Sequence, residues 1–320
     1  MEEFKIGTYI KKRREELQIS QEELCEGLCA VSSLSRIENN QQDPSRRLTI
    51  NLLERLGLPQ DRFVAFWGQK DVTIGALMRE IQDDIVQHRR ASQVNRPQIA
   101  EQLRENLDKL AAAVDPDDNN AQQFLLANRT QLGWQEGIYT IDKRLSMQLE
   151  AIRLTCPKFD PEDCLHGRYN MNEYRLINQI ANTYSEAGQR KKAIDIYCQL
   201  LNNLEKNCQE LGSYPSMFCL IAHNYSIELG RERRYLESIE LAERGTKICR
   251  FYGNYQLLPG FLAIQAESTY FLGKEIESRE LYLQAYYIYK AFGDGLNLER
   301  MRQEMKERLD IDMPEPTEYN

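Results

Sequence analysis

The sequence predicts an all-α protein built in two parts, and three observations carry that expectation. Four short amphipathic segments crowd into the first sixty residues. From about residue 70, longer segments of helical periodicity follow one another in pairs. Nothing in that second part alternates apolar and polar residues with period two, as a half-buried strand would. The 320 residues, 42% of them hydrophobic, leave room for two or three domains with cores of ordinary size.

The first segment, 6–17, sets apolar Ile6, Ile10 and Leu17 around the cluster Lys11, Lys12, Arg13 and Arg14. The second opens on Ser20, a good N-cap, with Glu23 three residues on as in a capping box. Leu24 and Leu28 begin its apolar stripe. After a tight turn at Cys29-Ala30, a third helix starts near Ser32 and buries Leu34 and Ile37. A fourth runs from about Arg46 to Leu56 and ends at Gly57. Short helices joined by tight turns form a helix-turn-helix, in which the second helix of the pair enters the DNA major groove.

The run Ser20-Gln21-Glu22-Glu23-Leu24, then Ser35-Arg36-Ile37-Glu38-Asn39-Asn40, then Pro44-Ser45, resembles the Xre/Cro-type helix-turn-helix family. The departure from its pattern is a turn one residue shorter between Leu28 and Leu34. The resemblance implies base readout from the start of the third helix, by Ser32, Ser33 and Arg36 with Gln21 in support. Val31 would meet a thymine methyl group. Lys11, Lys12, Arg46 and Arg47 are the phosphate candidates. Residues 1–68 hold ten basic against eleven acidic side chains, and the chain's net charge is −8. Without a broad basic footprint, non-specific binding is expected to be weak and base contacts to supply the discrimination. The competing reading is a small helical module that docks only protein.

Composition excludes several classes. No run of eighteen apolar residues exists, and Met1-Glu2-Glu3-Phe4-Lys5 lacks the apolar core of a signal peptide, so a cytoplasmic protein with no membrane association is expected. The eight cysteines contain no CxxC pair and there are only three histidines. No zinc spacing arises, and neither a metal nor another cofactor is expected. Cys25 and Cys29 read as small packing residues, and the thiols as reduced. A phosphate-binding glycine loop, a nucleophile elbow and HExxH are all missing, so the chain is not expected to be an enzyme.

Prolines punctuate the second part, since an interior proline breaks a helix. Between them the periodicity predicts pairs at 73–91 and 97–113, 119–133 and 139–155, 171–186 and 190–206, 214–229 and 235–251, and 257–271 and 275–292, with a last helix at 296–309. A spacing of roughly 40 residues calls for a repeat comparison. Ile177, Ile180, Ala181, Tyr184, Gly188, Ala193, Tyr197 and Leu200 stand at the key positions of a tetratricopeptide repeat. Ala222, Tyr225, Ser238, Ala242 and Gly245 answer in the next pair, then Ala266, Gly273, Ser278, Tyr282 and Ala285. The resemblance is good over 171–292 and weaker over 73–155. One pair cannot bury its apolar face alone, so the pairs are expected to stack into a right-handed superhelix. The expected domains are therefore 1–68 and 69–320.

An Xre-type module followed by about five such repeats resembles the Rap–Rgg–NprR–PlcR group of peptide-responsive regulators, most of all its PlcR-like members. His223-Asn224-Tyr225-Ser226 and Arg234-Tyr235-Leu236-Glu237-Ser238-Ile239-Glu240-Leu241-Ala242 are similar to repeats of that group. The resemblance implies a homodimeric transcription regulator whose solenoid dimerises and binds a short signalling peptide, as in quorum sensing, while its first domain binds a DNA operator. In the repeat register Arg175, Asn178, Asn182 and Ser185 share the inner face of their helix. Asparagine pairs with a backbone N–H and C=O together, and Arg175 suits a carboxylate. Asn224 and Glu228 follow on the next inner helix, then Gln265, with Glu267 and Tyr270 nearby. Two alternatives remain at this point: a solenoid adaptor, and a phosphatase-like member of the group acting on a response regulator.

Overall fold

The computed structural model describes residues 5–59, 69–90 and 95–313, and among them it holds fifteen helices and no strand. The first four are α1 (Ile6–Glu16), α2 (Gln21–Cys25), α3 (Val31–Glu38) and α4 (Arg46–Arg55). Ser20 Oγ accepts from the Glu23 N–H at 3.0 Å, and Ser45 Oγ caps α4 in the same way through Leu48. The second helix is shorter than its apolar stripe implies. The chain leaves it at Glu26 and swings through Gly27 at φ +70°, so Leu28 lies beyond the helix. α3 begins at Val31, one residue before the expected Ser32. Ile10, Leu24, Leu34, Ile37 and Leu52 close the core of this module.

Five helix pairs follow, as the periodicity predicts: α5 (Gln69–Arg90) and α6 (Arg96–Ala113), α7 (Asn119–Gln135) and α8 (Ile141–Thr155), α9 (Met171–Glu186) and α10 (Arg190–Asn207), α11 (Tyr214–Arg231) and α12 (Tyr235–Tyr252), α13 (Leu258–Phe271) and α14 (Glu275–Ala291). A single helix, α15 (Gly295–Leu309), ends the array. The largest displacement is at α5, which starts at 69 rather than 73. The expected domain boundary at 68/69 falls on 60–68, outside the described residues.

The chain divides into two compact units: Met1–Lys192 with Asn202–Tyr214, and Ala193–Leu201 with Pro215–Asn320. In the second, small residues stand where helices approach closely. A Cβ on Gly245 would run into the Phe261 ring, and Ala242, Ala266, Ser238 and Ser278 are fully buried. Tyr225 stacks on Tyr197 with ring centroids 6.1 Å apart. Ser238 Oγ donates to Ser226 O at 2.8 Å, and Ser278 Oγ to Ala266 O at 2.8 Å, so each small polar side chain is satisfied by a helix carbonyl.

The first unit contains α1 to α4 together with the first repeats, and α4 is the joint. Arg55 is buried at its end, and its guanidinium makes five polar bonds, one from Nη2 to Cys156 Sγ at 3.8 Å and four to oxygens. Nη1 donates to Leu24 O and Glu26 O (3.1 and 2.7 Å); Nη2 donates to Thr155 O and to Glu173 Oε1 (both 3.0 Å). Glu173 is itself held, because Asn170 and Glu173 form a complete capping box at the start of α9. Beside them Glu54 Oε2 accepts from the Met171 N–H at 2.8 Å. Asn119 Nδ2 donates to Gly27 O, Lys158 pairs with Glu26, and Arg47 pairs with Asp118. Gly27 is required twice over, since its φ is left-handed and a Cβ would overlap the Thr155 carbonyl.

The side chains of Arg55 and Glu173 are 3% and 0% exposed, so removing one charge strands the other away from water. Glu173→Gln is expected to lower unfolding free energy by about 3–5 kcal/mol in urea titration.

Candidate DNA-binding helix and repeat cavities

α3 is the surface the first module offers outward. Val31, Ser32 and Arg36 are exposed and Ser33 is half-buried, while Leu34, Ile37 and Glu38 anchor the opposite side. Arg36 Nε donates to Ser32 O at 3.3 Å, which lays its side chain along the helix. The helix is held from behind by a charged cluster. Arg14 donates to both Glu38 oxygens (2.6 and 3.0 Å) and to Ile19 O, and Gln21 Nε2 donates to Glu38 Oε2 at 2.7 Å. The Glu38 carboxylate hydrogen-bonded to Arg14 raises that guanidinium's pKa above its already high ordinary value.

The structure therefore separates the expected DNA residues. Val31, Ser32, Ser33 and Arg36 lie on the solvent side of α3, whereas Gln21 is spent on Glu38 behind it. Lys12 is exposed and Lys11 half-buried. Arg46 and Arg47 point back toward the repeats. A Cβ on Gly75 of α5 would stand 3.3 Å from Arg46 Nη1, and Arg47 is ion-paired with Asp118, its Nε and Nη1 buried without partners. A basic pair beside an N-cap reads as a phosphate contact in the sequence because nothing local announces Asp118, far along the chain.

Among the described residues, each unit holds a cavity lined by residues of the repeats. The first, about 240 Å³, opens between α5, α7 and α9. Ile85, Phe124 and Leu176 give it an apolar floor, and Asn128, Arg175 and Gln179 a polar rim. Gln179, which sequence reasoning missed, has a buried Oε1 with no hydrogen-bond partner. It stands four residues after Arg175 on the same helical face, and that spacing was the available signal. Asn182 is half-buried and Asn178 is 2% exposed.

The second cavity, about 780 Å³, lies along α11, α13 and α15. Ile227, Ala263, Ile264 and Phe271 line it with Arg231, Arg233, Arg300, Glu267 and Glu304. Asn224 is half-buried three residues before Ile227. Glu228 is buried against Arg231 at 2.7 Å. Gln265 donates from Nε2 to Thr246 Oγ1 at 2.8 Å, a bond that ties α13 to α12.

Other chemistries find no constellation. Among the described residues no group of three His, Cys, Asp or Glu side chains is placed to hold a metal ion, and no helix is long and apolar enough to cross a membrane. All eight cysteines are free. Cys25 and Cys29 pack under the third helix as expected, with burial pushing the Cys29 thiol up to about 11.

Residues 10–61 match the helix-turn-helix family, and residues 100–307 match the RNPP family C-terminal domain. Two solved structures of Bacillus thuringiensis PlcR share the fold. The complex with the peptide PapR7 and DNA is 19% identical with a TM-score of 0.61, covering 93% of this chain and 98% of that one. The apo form is 19% identical with a TM-score of 0.57, covering 94% and 99%. A comparison with curated proteins gives no match.

Arg36→Ala is expected to cut the preference for a selected sequence over random DNA by about 1–3 kcal/mol in competition shift assays. Lys12→Ala should instead weaken all sequences alike and reduce the salt slope by about one.

Proposed function

The chain belongs to the RNPP family, and we propose that it is a sequence-specific transcription regulator, working in the cytoplasm as a homodimer and controlled by a short peptide bound among its repeats. Residues 1–68 are then the DNA-binding domain and 69–320 the peptide-binding and dimerisation domain. The observation that carries this reading is the exposed face Val31, Ser32 and Arg36 on a helix-turn-helix followed by the RNPP domain over 100–307. The PlcR complex with PapR7 and DNA supports both ligand classes by likeness of fold.

The proposed peptide contacts in the first unit are Arg175, Asn178 and Asn182 on α9, with Gln179 added; in the second unit Asn224 is a separate candidate, while Glu228 and Gln265 are already engaged by Arg231 and Thr246. An extended peptide needs backbone partners for affinity and pockets for side-chain choice. The unpaired Gln179 Oε1 is an acceptor waiting for an N–H, and the floor of Ile85, Phe124 and Leu176 suits one apolar side chain. α9 also gives the peptide a route to the DNA-binding module. Its first turn holds Arg55 through Glu173 and brings Asn172 to the cavity, and the next turns carry Arg175 and Gln179 along it.

A dimer doubles a readout that is too short alone. Selection from random duplexes with the full chain should enrich an inverted repeat, with half-site centres about 34 Å or a multiple apart. Sedimentation of the same sample should give twice the chain mass. No enriched sequence would leave the adaptor reading in its place. Substituting Gln179→Ala should lower affinity for a peptide isolated with the protein by about ten- to a hundredfold, the effect of an unpaired buried group.

A further inference from the structure

Four first-to-second helix turns are described in the repeats, and they share one geometry. After α7, α9, α11 and α13 the chain turns through a left-handed residue at φ +71°, +79°, +61° and +78°. Its N–H bonds back to the residue three before, as in Gly188 to Ser185 O, Arg233 to Gly230 O and Gly273 to Tyr270 O. Three of these residues are glycine: Gly137, Gly188 and Gly273. The fourth is Arg233. The left-handed region suits glycine and disfavours any residue with a Cβ, so an arginine there is held against local preference. Such strain points to a role for the side chain rather than the backbone.

Arg233 lines the 780 Å³ cavity along α11, α13 and α15, within the range of small-ligand sites. The acidic side chains there are already engaged. Arg308 bonds Glu267 at 2.5 Å and Glu304 at 2.9 Å, and Arg300 bonds Glu304 at 2.8 Å. Arg231 is held by Glu228. Arg233 makes no ion pair with any described residue, so the cavity presents a cation over the apolar Ile227, Ile264 and Phe271.

We propose that this cavity is a carboxylate-recognition site in which Arg233 is the anion-binding side chain. A guanidinium takes a carboxylate with two parallel bonds, and the apolar floor takes the side chain beside it. The proposal rests on the peptide reading above: the carboxylate is either the peptide's C-terminus or an acidic side chain.

The test exposes full-length protein to pools of random N-acetylated heptapeptides and measures retention by mass spectrometry. One pool has a free C-terminus and no Asp or Glu, one is amidated with Asp and Glu, and one is amidated without them. Wild type should retain one of the first two at least tenfold over the third, which identifies the source of the carboxylate. Arg233→Gly should lose that excess while its thermal midpoint stays at or above wild type, because glycine relieves the turn; Arg233→Lys should recover part of it. Equal retention of the third pool, or an undiminished excess in Arg233→Gly, overturns the carboxylate site while leaving peptide binding standing. Retention of no pool by wild type overturns both.

Discussion

The buried pair of Arg55 and Glu173 is the constraint on which the first unit depends. Both side chains are removed from water, and neither is tolerable there without the other. Its geometry is over-determined. Arg55 also serves two carbonyls at the end of α2 and one at the end of α8, while Glu173 also caps α9. One guanidinium thus closes the open ends of two helices in different parts of the sequence. Charge-assisted bonds of this kind are directional, so they fix the angle of α4 as well as its position.

The consequence is that the helix-turn-helix module is docked directly on the first repeats through α4. Glu54 with Met171, Asn119 with Gly27, and Arg47 with Asp118 extend the joint around Arg55. Glu54 takes a backbone N–H that α9 leaves over at its start and Asn119 takes a carbonyl just past the end of α2, while Arg47 and Asp118 add a side-chain ion pair. The repeats supply such ends at regular intervals, and a compact module that brings its own ions and glycines can dock on them.

Much of this fold was legible in the sequence because helices in pairs impose a period. The small residues Ala242, Gly245 and Ala266 marked the close approaches, and the glycine turns marked the breaks. The face of α3 was legible for the same reason, as Leu34 and Ile37 fix which side is inward. What period does not reveal is partnership at long range. Gln21 and Arg47 looked like DNA contacts, and their carboxylate partners Glu38 and Asp118 arrive only when the chain is folded. Gln265 stood at an inner-face position yet bonds Thr246 on the neighbouring helix. Conversely Arg55, which no sequence pattern singled out, is the most connected side chain of the joint. Asn170 and Glu173 stand at capping-box spacing, but that spacing says nothing of the glutamate's second partner, Arg55.

Through Arg55 the helix-turn-helix module and the first repeats form one cooperative unit. Native-state hydrogen exchange on the full chain measures this directly. The account requires the amides of α4 and of α9 to exchange through openings of the same free energy and the same denaturant dependence. If α4 opens at markedly lower free energy while α9 remains protected, the joint is not a structural constraint and the account fails.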